Sequence, residues 1–175
     1  VNQLIKFYNA DDIEPIEFYG NCYNGNADLY TTMSYLPHVD TFPGADEDIN
    51  PLNDYAFNLN VTKSDKVKTA FYSFNGKKSV CDWTPDDYDD HDRVRDRHKK
   101  IKAKDWRKLS NENFQNYQLE YIANIEYNSL ILYPSHYWHS VYIKEDWFTD
   151  TDRVTFTGFF ETKTTSSKTK KLGFG

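Results

Sequence analysis

The chain has 175 residues, a mass of 20.7 kDa and a formal net charge of −6 at neutral pH. This length is that of one domain, with room for a small appendage, and the acidic balance argues against nucleic acid as a partner. Aromatic residues make up 17% of the sequence, which excludes ordinary disorder and favours strands over helices.

Two further features bear on where the protein works. No apolar run approaches the roughly 20 residues of a membrane helix, and the sequence shows no charged-then-apolar leader, so we expect neither a membrane anchor nor a signal peptide. The cysteines Cys22 and Cys81 form no Cys-x-x-Cys motif. We interpret them as free thiols of a cytoplasmic protein, with a single disulfide as the alternative.

The first half of the sequence predicts short strands separated by loops and turns. Residues 1–19 are expected to hold a strand and a short helix, and Gly20–Asn26 has the Gly and Asn content of a loop. The pair Asn75-Gly76 predicts a hairpin turn. Alternating, β-branched and aromatic residues predict the strands of this half at Leu29–Tyr35, Tyr55–Thr62, Val67–Phe74 and Ser79–Trp83.

The segment Pro85–Lys108 is strongly charged, acidic first and then basic. This pattern favours a solvated helix or a mobile insertion whose charges face water, together with His91 and His98. The alternative is a lid or a substrate-binding loop over a site elsewhere in the fold.

The second half returns to β-branched and aromatic segments, which predict strands at Tyr117–Ile125, Ser129–Tyr133, Tyr137–Ile143 and Val154–Phe160. Seven or eight short strands predict a mainly β fold, a sandwich or jelly roll, with helix as a minority element. We therefore predict one domain over residues 1–161, with the charged insertion at 85–108 and a basic, disordered tail at 162–175.

One of the five histidines opens a His38-Val39-Asp40 motif after a predicted strand. Residues i and i+2 of a strand project from the same face, so this imidazole and this carboxylate can bind one metal ion. A second histidine would complete the donor set of two histidines and one carboxylate that suits non-haem Fe(II). Because the sequence is rich in aspartate, a chance pair that is solvated or caps a turn is the alternative.

The segment Asn128–Val141 contains the second histidine. An apolar strand is followed by a proline turn, after which His139 opens another strand. His136 is the rival ligand, but it lies three residues earlier and therefore on the other face of a strand. We predict His139 as the ligand.

Arg153 begins a strand fourteen residues after His139. A buried guanidinium is costly unless an anion meets it. A dicarboxylic acid fits, because one end can chelate a metal while the other makes a bidentate contact with Arg153. Thr155 and Thr157 share the strand face of Arg153 and offer hydroxyl groups.

In their order along the chain, the His-x-Asp motif at 38–40, His139, and Arg153 with Thr155 resemble the Fe(II)/2-oxoglutarate-dependent dioxygenase superfamily, in particular its prolyl-hydroxylase-like members. The resemblance implies a double-stranded β-helix, which is a cupin-like jelly roll, with minor flanking helices. It also implies that Arg153 and Thr155 hold 2-oxoglutarate. The implied iron ligands and catalytic residues are His38, Asp40 and His139.

The same resemblance implies that dioxygen and 2-oxoglutarate hydroxylate a primary substrate with release of succinate and CO2. Ascorbate is a candidate reductant, and a protein or peptide substrate, hydroxylated at a residue such as proline, is favoured. Asn58 stands where such members often carry a tyrosine that binds the co-substrate. Tyr30 can supply a phenol instead, with packing in the core as its alternative role.

Two other functions stay open on the sequence alone. A non-catalytic jelly-roll module that binds sugars or proteins would account for the tyrosine and tryptophan content, but it gives Arg153 and the histidines no shared role. A cupin with different metal chemistry normally uses more histidine ligands, and Asp40 argues against it.

Overall fold

The computed structural model describes residues 12–23, 36–40, 54–98, 116–144 and 147–163. None of the helical segments within these ranges has the length and apolar character needed to cross a bilayer. The strands are β1 (Asp12–Tyr23), β2 (Asp54–Asn60), β3 (Lys68–Phe74), β4 (Tyr117–Asn124), β5 (Leu130–Pro134), β6 (His139–Val141) and β7 (Arg153–Lys163). The helices are a short 3₁₀ helix (Val80–Asp82) and α1 (Pro85–His98).

The strands form two antiparallel sheets, in the orders β1-β7-β2-β5 and β4-β3-β6. The expectation of a mainly β chain with little helix is confirmed. Side chains from the two sheets meet, since Tyr133 of β5 packs edge-on against Phe71 of β3 with ring centroids 5.2 Å apart. The space between the sheets therefore lies beside these two rings.

The turn after β3 forms as predicted, but the chain that follows does not. Asn75 and Gly76 both have positive φ, at 49° and 79°, as a tight hairpin turn requires. The strand predicted at Ser79–Trp83 is wrong. The Ser79 hydroxyl accepts a hydrogen bond from the backbone N–H of Cys81 and caps the 3₁₀ helix instead.

The inner face of β2 is its polar face. Ala56 and Asn60 are fully buried, whereas Tyr55, Phe57 and Leu59 on the other face are only half-buried. Asn60 is satisfied there because its amide donates to the Ile125 carbonyl at 2.7 Å. The predicted alternation is present, but the interior that it faces is not an ordinary apolar core.

Helix α1 packs on the outer face of the three-stranded sheet. His91 and Val94 are buried, and the His91 ring lies 5.7 Å from that of Phe74 and 5.0 Å from that of Trp138. Because side chains alternate along a strand, Phe74 lies on the opposite face of β3 from Phe71. The expectation that His91 is solvated is therefore wrong, and residues 99–108 of the charged insertion, like the side chain of His98, lie outside the described residues.

The ends of the predicted domain are only partly described. β7 continues to Lys163, two residues beyond the predicted boundary, and residues 164–175 lie outside the described ranges. The strand predicted at Leu29–Tyr35 lies outside them as well. Cys22 and Cys81 are both free thiols, as expected.

The start of α1 is held by a buried carboxylate. Asp87 accepts hydrogen bonds from the backbone N–H and the hydroxyl of Thr84, at 2.7 and 2.6 Å, and it pairs with Lys77. The hydrogen bonds from Lys77 and Thr84 hold the pKa of Asp87 well below its ordinary value. This arrangement resembles a capping box, reinforced by a charge from the turn after β3.

We expect Asp87→Ala to lower the free energy of unfolding by about 1–3 kcal/mol at pH 7, because Thr84 and Lys77 lose their acceptor. A carboxylate with a depressed pKa stabilises the fold fully above its unfolded-state pKa of 3.8, and this stabilisation declines as the pH falls below 3.8 towards the folded-state pKa, so that part of it is lost at pH 3. Urea unfolding at pH 7 and pH 3 measures both effects. The exposed Asp89→Ala is the control, and an equal change in the two variants would contradict the prediction.

Candidate metal centre

The backbone brings His38 and His139 side by side. The N–H of each donates to the carbonyl of the other, both at 2.9 Å, which makes the two residues a hydrogen-bonded antiparallel pair. Their side chains therefore lie on one face, with ring centroids 4.5 Å apart. The N–H of Asp40 donates to the Ser135 carbonyl at 2.9 Å, so the His-x-Asp segment is tied to the chain on both sides of the β5–β6 turn.

His38 and His139 both direct their Nε2 atoms towards the carboxylate of Asp40. Nδ1 of His38 lies 3.0 Å from the Leu36 carbonyl, and Nδ1 of His139 lies 2.9 Å from the Tyr137 carbonyl. Because a carbonyl oxygen only accepts hydrogen bonds, each Nδ1 must carry the proton. Each neutral ring then has its lone pair on Nε2, which is the arrangement of histidine ligands in metal sites.

The three side chains converge at coordination range. Nε2 of His139 lies 3.4 Å from Oδ2 of Asp40, Nε2 of His38 lies 3.8 Å from Oδ1, and all three ligand atoms lie within 4.8 Å of one another. Adjacent ligands of an octahedral ion with bonds of about 2.1 Å are about 3 Å apart. The ligand atoms would have to move inward to reach this spacing, and their arrangement is that of a group that could hold a metal ion.

The electrostatics of the cluster also fit a cation. Burial raises the pKa of Asp40 to about 7, because desolvation disfavours the charged form of its carboxyl group. Burial and then the neighbouring His38 lower the pKa of His139 to about 3, and desolvation lowers that of His38. Oδ2 of Asp40 is buried and has no hydrogen-bond donor among the described residues. A divalent cation would satisfy this oxygen and both lone pairs.

Arg153 is a second buried charge. It is only 6% exposed, its Nη1 donates to the Thr155 hydroxyl at 3.3 Å, and its Nε–H has no acceptor in the described part of the chain. Burial lowers the pKa of Arg153 to about 10, which still leaves the guanidinium protonated at neutral pH. Arg153 is therefore a buried cation, and its contact with an anion stays a prediction.

A chain of polar side chains lies on the inner face of the four-stranded sheet, beside Arg153. The Asn21 amide donates to the Thr157 hydroxyl at 2.9 Å, and Thr157 donates to the Asn58 carbonyl oxygen at 2.6 Å. The Asn58 amide in turn donates to the Tyr133 oxygen at 3.0 Å. Asn58 therefore contacts the hydroxyl of Tyr133 on the neighbouring strand β5, and its contact with a co-substrate stays a prediction.

Tyr133 connects the metal cluster to this polar chain, and the sequence analysis missed it. Its ring centroid lies 4.7 Å from that of His139, and it is within electrostatic reach of both Asp40 and Arg153. Burial keeps the pKa of Tyr133 well above its ordinary value, so the phenol is neutral. One signal was available: a tyrosine inside an aliphatic strand needs a partner for its hydroxyl when it is buried.

The other predicted residues divide as follows. His136 lies apart from the cluster, because its Nδ1 is 2.8 Å from the Ser79 hydroxyl. Thr155 is buried next to Arg153. Tyr30 lies outside the described residues. The structure thus brings together His38, Asp40 and His139, and it places Arg153, Thr155 and Asn58 on one sheet with Tyr133.

Comparisons with known proteins add little to this geometry. No protein-family model matches the sequence, and no curated protein matches it either. Among solved structures, the chain is similar to an N-substituted L-amino acid dioxygenase from Burkholderia ambifaria AMMD, with a TM-score of 0.46 and 11% identity. The similarity covers 91% of this chain and 61% of that one, so the chain spans about three fifths of that enzyme. A likeness at this level assigns neither a family nor a reaction.

Proposed function

We propose that the protein is an Fe(II)- and 2-oxoglutarate-dependent dioxygenase built on a double-stranded β-helix. The observation that carries the proposal is the meeting of the two neutral imidazoles of His38 and His139 with Asp40, whose buried Oδ2 has no donor among the described residues. Two histidines and one carboxylate leave three positions of an octahedral ion open, which suits iron that must also bind a co-substrate and dioxygen. A binding module without catalysis gives this cluster no purpose.

Iron held by these three residues would supply the activation of dioxygen, coupled to decarboxylation of 2-oxoglutarate to succinate and CO2 and to hydroxylation of the substrate. The protein supplies orientation and charge. The Leu36 and Tyr137 carbonyls fix the two imidazole rings, and Asp40 offsets part of the charge of the cation. The rings of Phe71 and Tyr133 exclude water beside His139.

Arg153 supports 2-oxoglutarate as the co-substrate. A buried guanidinium with an unused Nε–H is a ready partner for a carboxylate, and a bidentate contact with it fixes orientation as well as charge. We propose that Arg153, with the Thr155 hydroxyl beside it, binds the carboxylate of 2-oxoglutarate that is farther from the metal.

The primary substrate is proposed as a protein or peptide, hydroxylated at a residue such as proline, on the basis of the resemblance in sequence. The edge of His38 is open to a substrate, since its side chain is 42% exposed. Free thiols and a need for ferrous iron both agree with a reducing compartment, so we propose the cytoplasm, with ascorbate as a candidate reductant.

The decisive experiment is an anaerobic titration with Fe(II) and 2-oxoglutarate, followed by exposure to air. We expect a weak visible charge-transfer band when both are present, and succinate release once dioxygen is admitted. Fe(II) and 2-oxoglutarate without protein are the control. Iron-loaded protein that gives neither the band nor succinate above this control would overturn the proposed function. Screening peptides for faster succinate release then tests the substrate class.

A further inference from the structure

A row of three rings leads from the metal cluster to the protein surface. The ring centroid of Phe71 on β3 lies 6.3 Å from that of His139, and 6.4 Å from that of Tyr121 on β4, against which it is stacked. Phe71 is half-buried, whereas Tyr121 is 64% exposed. The Tyr121 ring thus offers an open aromatic surface that is one ring away from a candidate metal ligand.

A β-bulge in β4 places a carboxylate beside this ring. The pairing with β3 skips Glu120, because Leu119 and Tyr121 pair with consecutive residues of β3. Such a bulge re-aims the side chains around it and is common next to active sites. Oε1 of Glu120 accepts a hydrogen bond of 2.7 Å from the hydroxyl of Ser73, which is buried on the same face of β3 as Phe71. An interior side chain therefore holds Glu120 on the side of the sheet that carries the row of rings.

The charges around Glu120 leave its carboxylate open to a further partner. Its ion-pair partner among the described residues is Lys78, whose Nζ lies 3.9 Å from Oε2, beyond hydrogen-bond distance. The Lys78 side chain is 65% exposed, and an exposed pair of this kind is weak. The chain as a whole carries a net charge of −6 at neutral pH, which also favours a cationic partner.

A second tyrosine of β4 and its turn shows the kind of contact that Tyr121 can make. Nζ of Lys63 lies 5.2 Å from the ring centroid of Tyr127, so that ring already has a cation over its face. Within the described ranges, the cation–ring contacts involve Tyr127 and Trp147 but not Tyr121. The ring next to the metal cluster is thus the one whose face is open to a cation from outside.

We infer that Tyr121 and Glu120 form a subsite for an arginine side chain of the primary substrate. A guanidinium is planar, so it stacks on an aromatic ring and also makes two parallel hydrogen bonds to a carboxylate, which an ammonium does not. Neighbouring residues of a peptide held in this way lie over Phe71 and reach the metal cluster. The inference rests on the proposed function, and it names an arginine-containing peptide as the substrate class.

The test is NMR titration of the protein, loaded with Zn(II) as a diamagnetic stand-in for Fe(II), with two blocked heptapeptides. Both peptides have alanine at every position except the centre, which is arginine in one and citrulline in the other. Citrulline keeps the length and the planar end group of arginine but carries no charge. We expect the arginine peptide to bind about 3- to 30-fold more tightly.

Substitutions on β4 should remove this preference. Glu120→Gln keeps an oxygen for the Ser73 hydroxyl and removes only the charge, so we expect it to weaken binding of the arginine peptide about 2- to 5-fold without changing that of the citrulline peptide. Tyr121→Ala should weaken binding of the arginine peptide to a similar degree, and Tyr121→Phe should retain the affinity, because the ring is what the guanidinium contacts.

The turn after β4 offers matched controls, because Glu126 and Tyr127 repeat the same two residue types at exposed positions. Glu126→Gln and Tyr127→Ala should bind the arginine peptide as the wild type does. A loss of affinity in these controls as large as that in the β4 variants would overturn the inference, because the preference would then reflect the overall charge of the protein and not this subsite.

The failure of this inference differs from the failure of the proposed function. Wild-type protein that binds the two peptides equally, or binds neither, overturns the inference alone. An unchanged affinity for the arginine peptide in both Tyr121→Ala and Glu120→Gln overturns it as well. The proposed function is judged separately, by succinate release in the iron titration, and its failure would overturn the role of the subsite in hydroxylation even where the preference for arginine is found.

Discussion

Asp40→Ala is expected to lower the affinity of the protein for Fe(II) or Mn(II) by more than about 100-fold and to end succinate release. The two imidazoles that remain offer neutral nitrogen ligands only. The variant therefore loses both a ligand and the negative charge that offsets the cation. Metal analysis after gel filtration and titration with Mn(II) measure the loss.

Without a metal, the same substitution should make the folded protein more stable than wild type at neutral and higher pH. Burial raises the folded-state pKa of Asp40 to about 7 from 3.8, so its contribution to stability is lost progressively as the pH rises from 3.8 to about 7. The Ala variant has no such group. When the pH is raised from 5 to 8 in EDTA, the free energy of unfolding of wild type should fall by about 2 kcal/mol relative to that of Asp40→Ala.

Asp65→Ala, at an exposed aspartate in the turn before β3, is the control for both measurements and should behave as wild type. Full retention of metal affinity in Asp40→Ala would exclude Asp40 as a ligand. If metal-free Asp40→Ala lost stability with rising pH as steeply as wild type, the pKa of Asp40 would not be raised in the metal-free fold.

Arg153→Leu is expected to raise the KM for 2-oxoglutarate by about 30-fold to 1,000-fold, because the distal carboxylate would be buried without its charged partner. Metal affinity should not change, since Arg153 takes no part in the His-Asp-His cluster. Arg153→Lys should recover part of the loss, because an ammonium keeps the charge but not the bidentate geometry. Initial rates of succinate release at varied 2-oxoglutarate measure the effect.

Arg97→Leu is the matched control, since this arginine lies exposed on α1. Removing a buried guanidinium that has an unsatisfied Nε–H should leave the metal-free protein as stable as before, or more so. An unchanged KM for 2-oxoglutarate in a folded Arg153→Leu protein would mean that the co-substrate binds elsewhere or is a different acid.

Local spacing predicted most of the metal cluster. A carboxylate two residues after His38 must lie on the same side of an extended chain. His136 is set apart from His139 for a different reason than predicted, because it lies in the β5–β6 turn and contacts Ser79. The order of the motifs then indicated which distant residues belong together. The cost of burying a charge without a partner indicated that Arg153, if it projected inward, would need an anion, and the structure shows that Arg153 is buried.

Other features depended on contacts between distant segments. Asn58 and Tyr133 are 75 positions apart, and they meet because β2 pairs with β5. His91 sits in a segment that is charged on every side in the sequence, but the aromatic rings of Phe74 and Trp138 bury it. Neither contact leaves a periodic pattern in the sequence, so neither was predicted.

The sequence by itself determined the β character of the chain through the two-residue period of extended backbone. It also predicted the three candidate ligands, through the His-x-Asp spacing together with the resemblance of the ordered motifs to a known superfamily. Only the tertiary structure decided which face of β2 is internal, and that Tyr133 of β5 contacts His139 and lies within electrostatic reach of Arg153. The physical reason is that strand pairing sets the partner of each buried polar group, and pairing joins residues that are far apart along the chain.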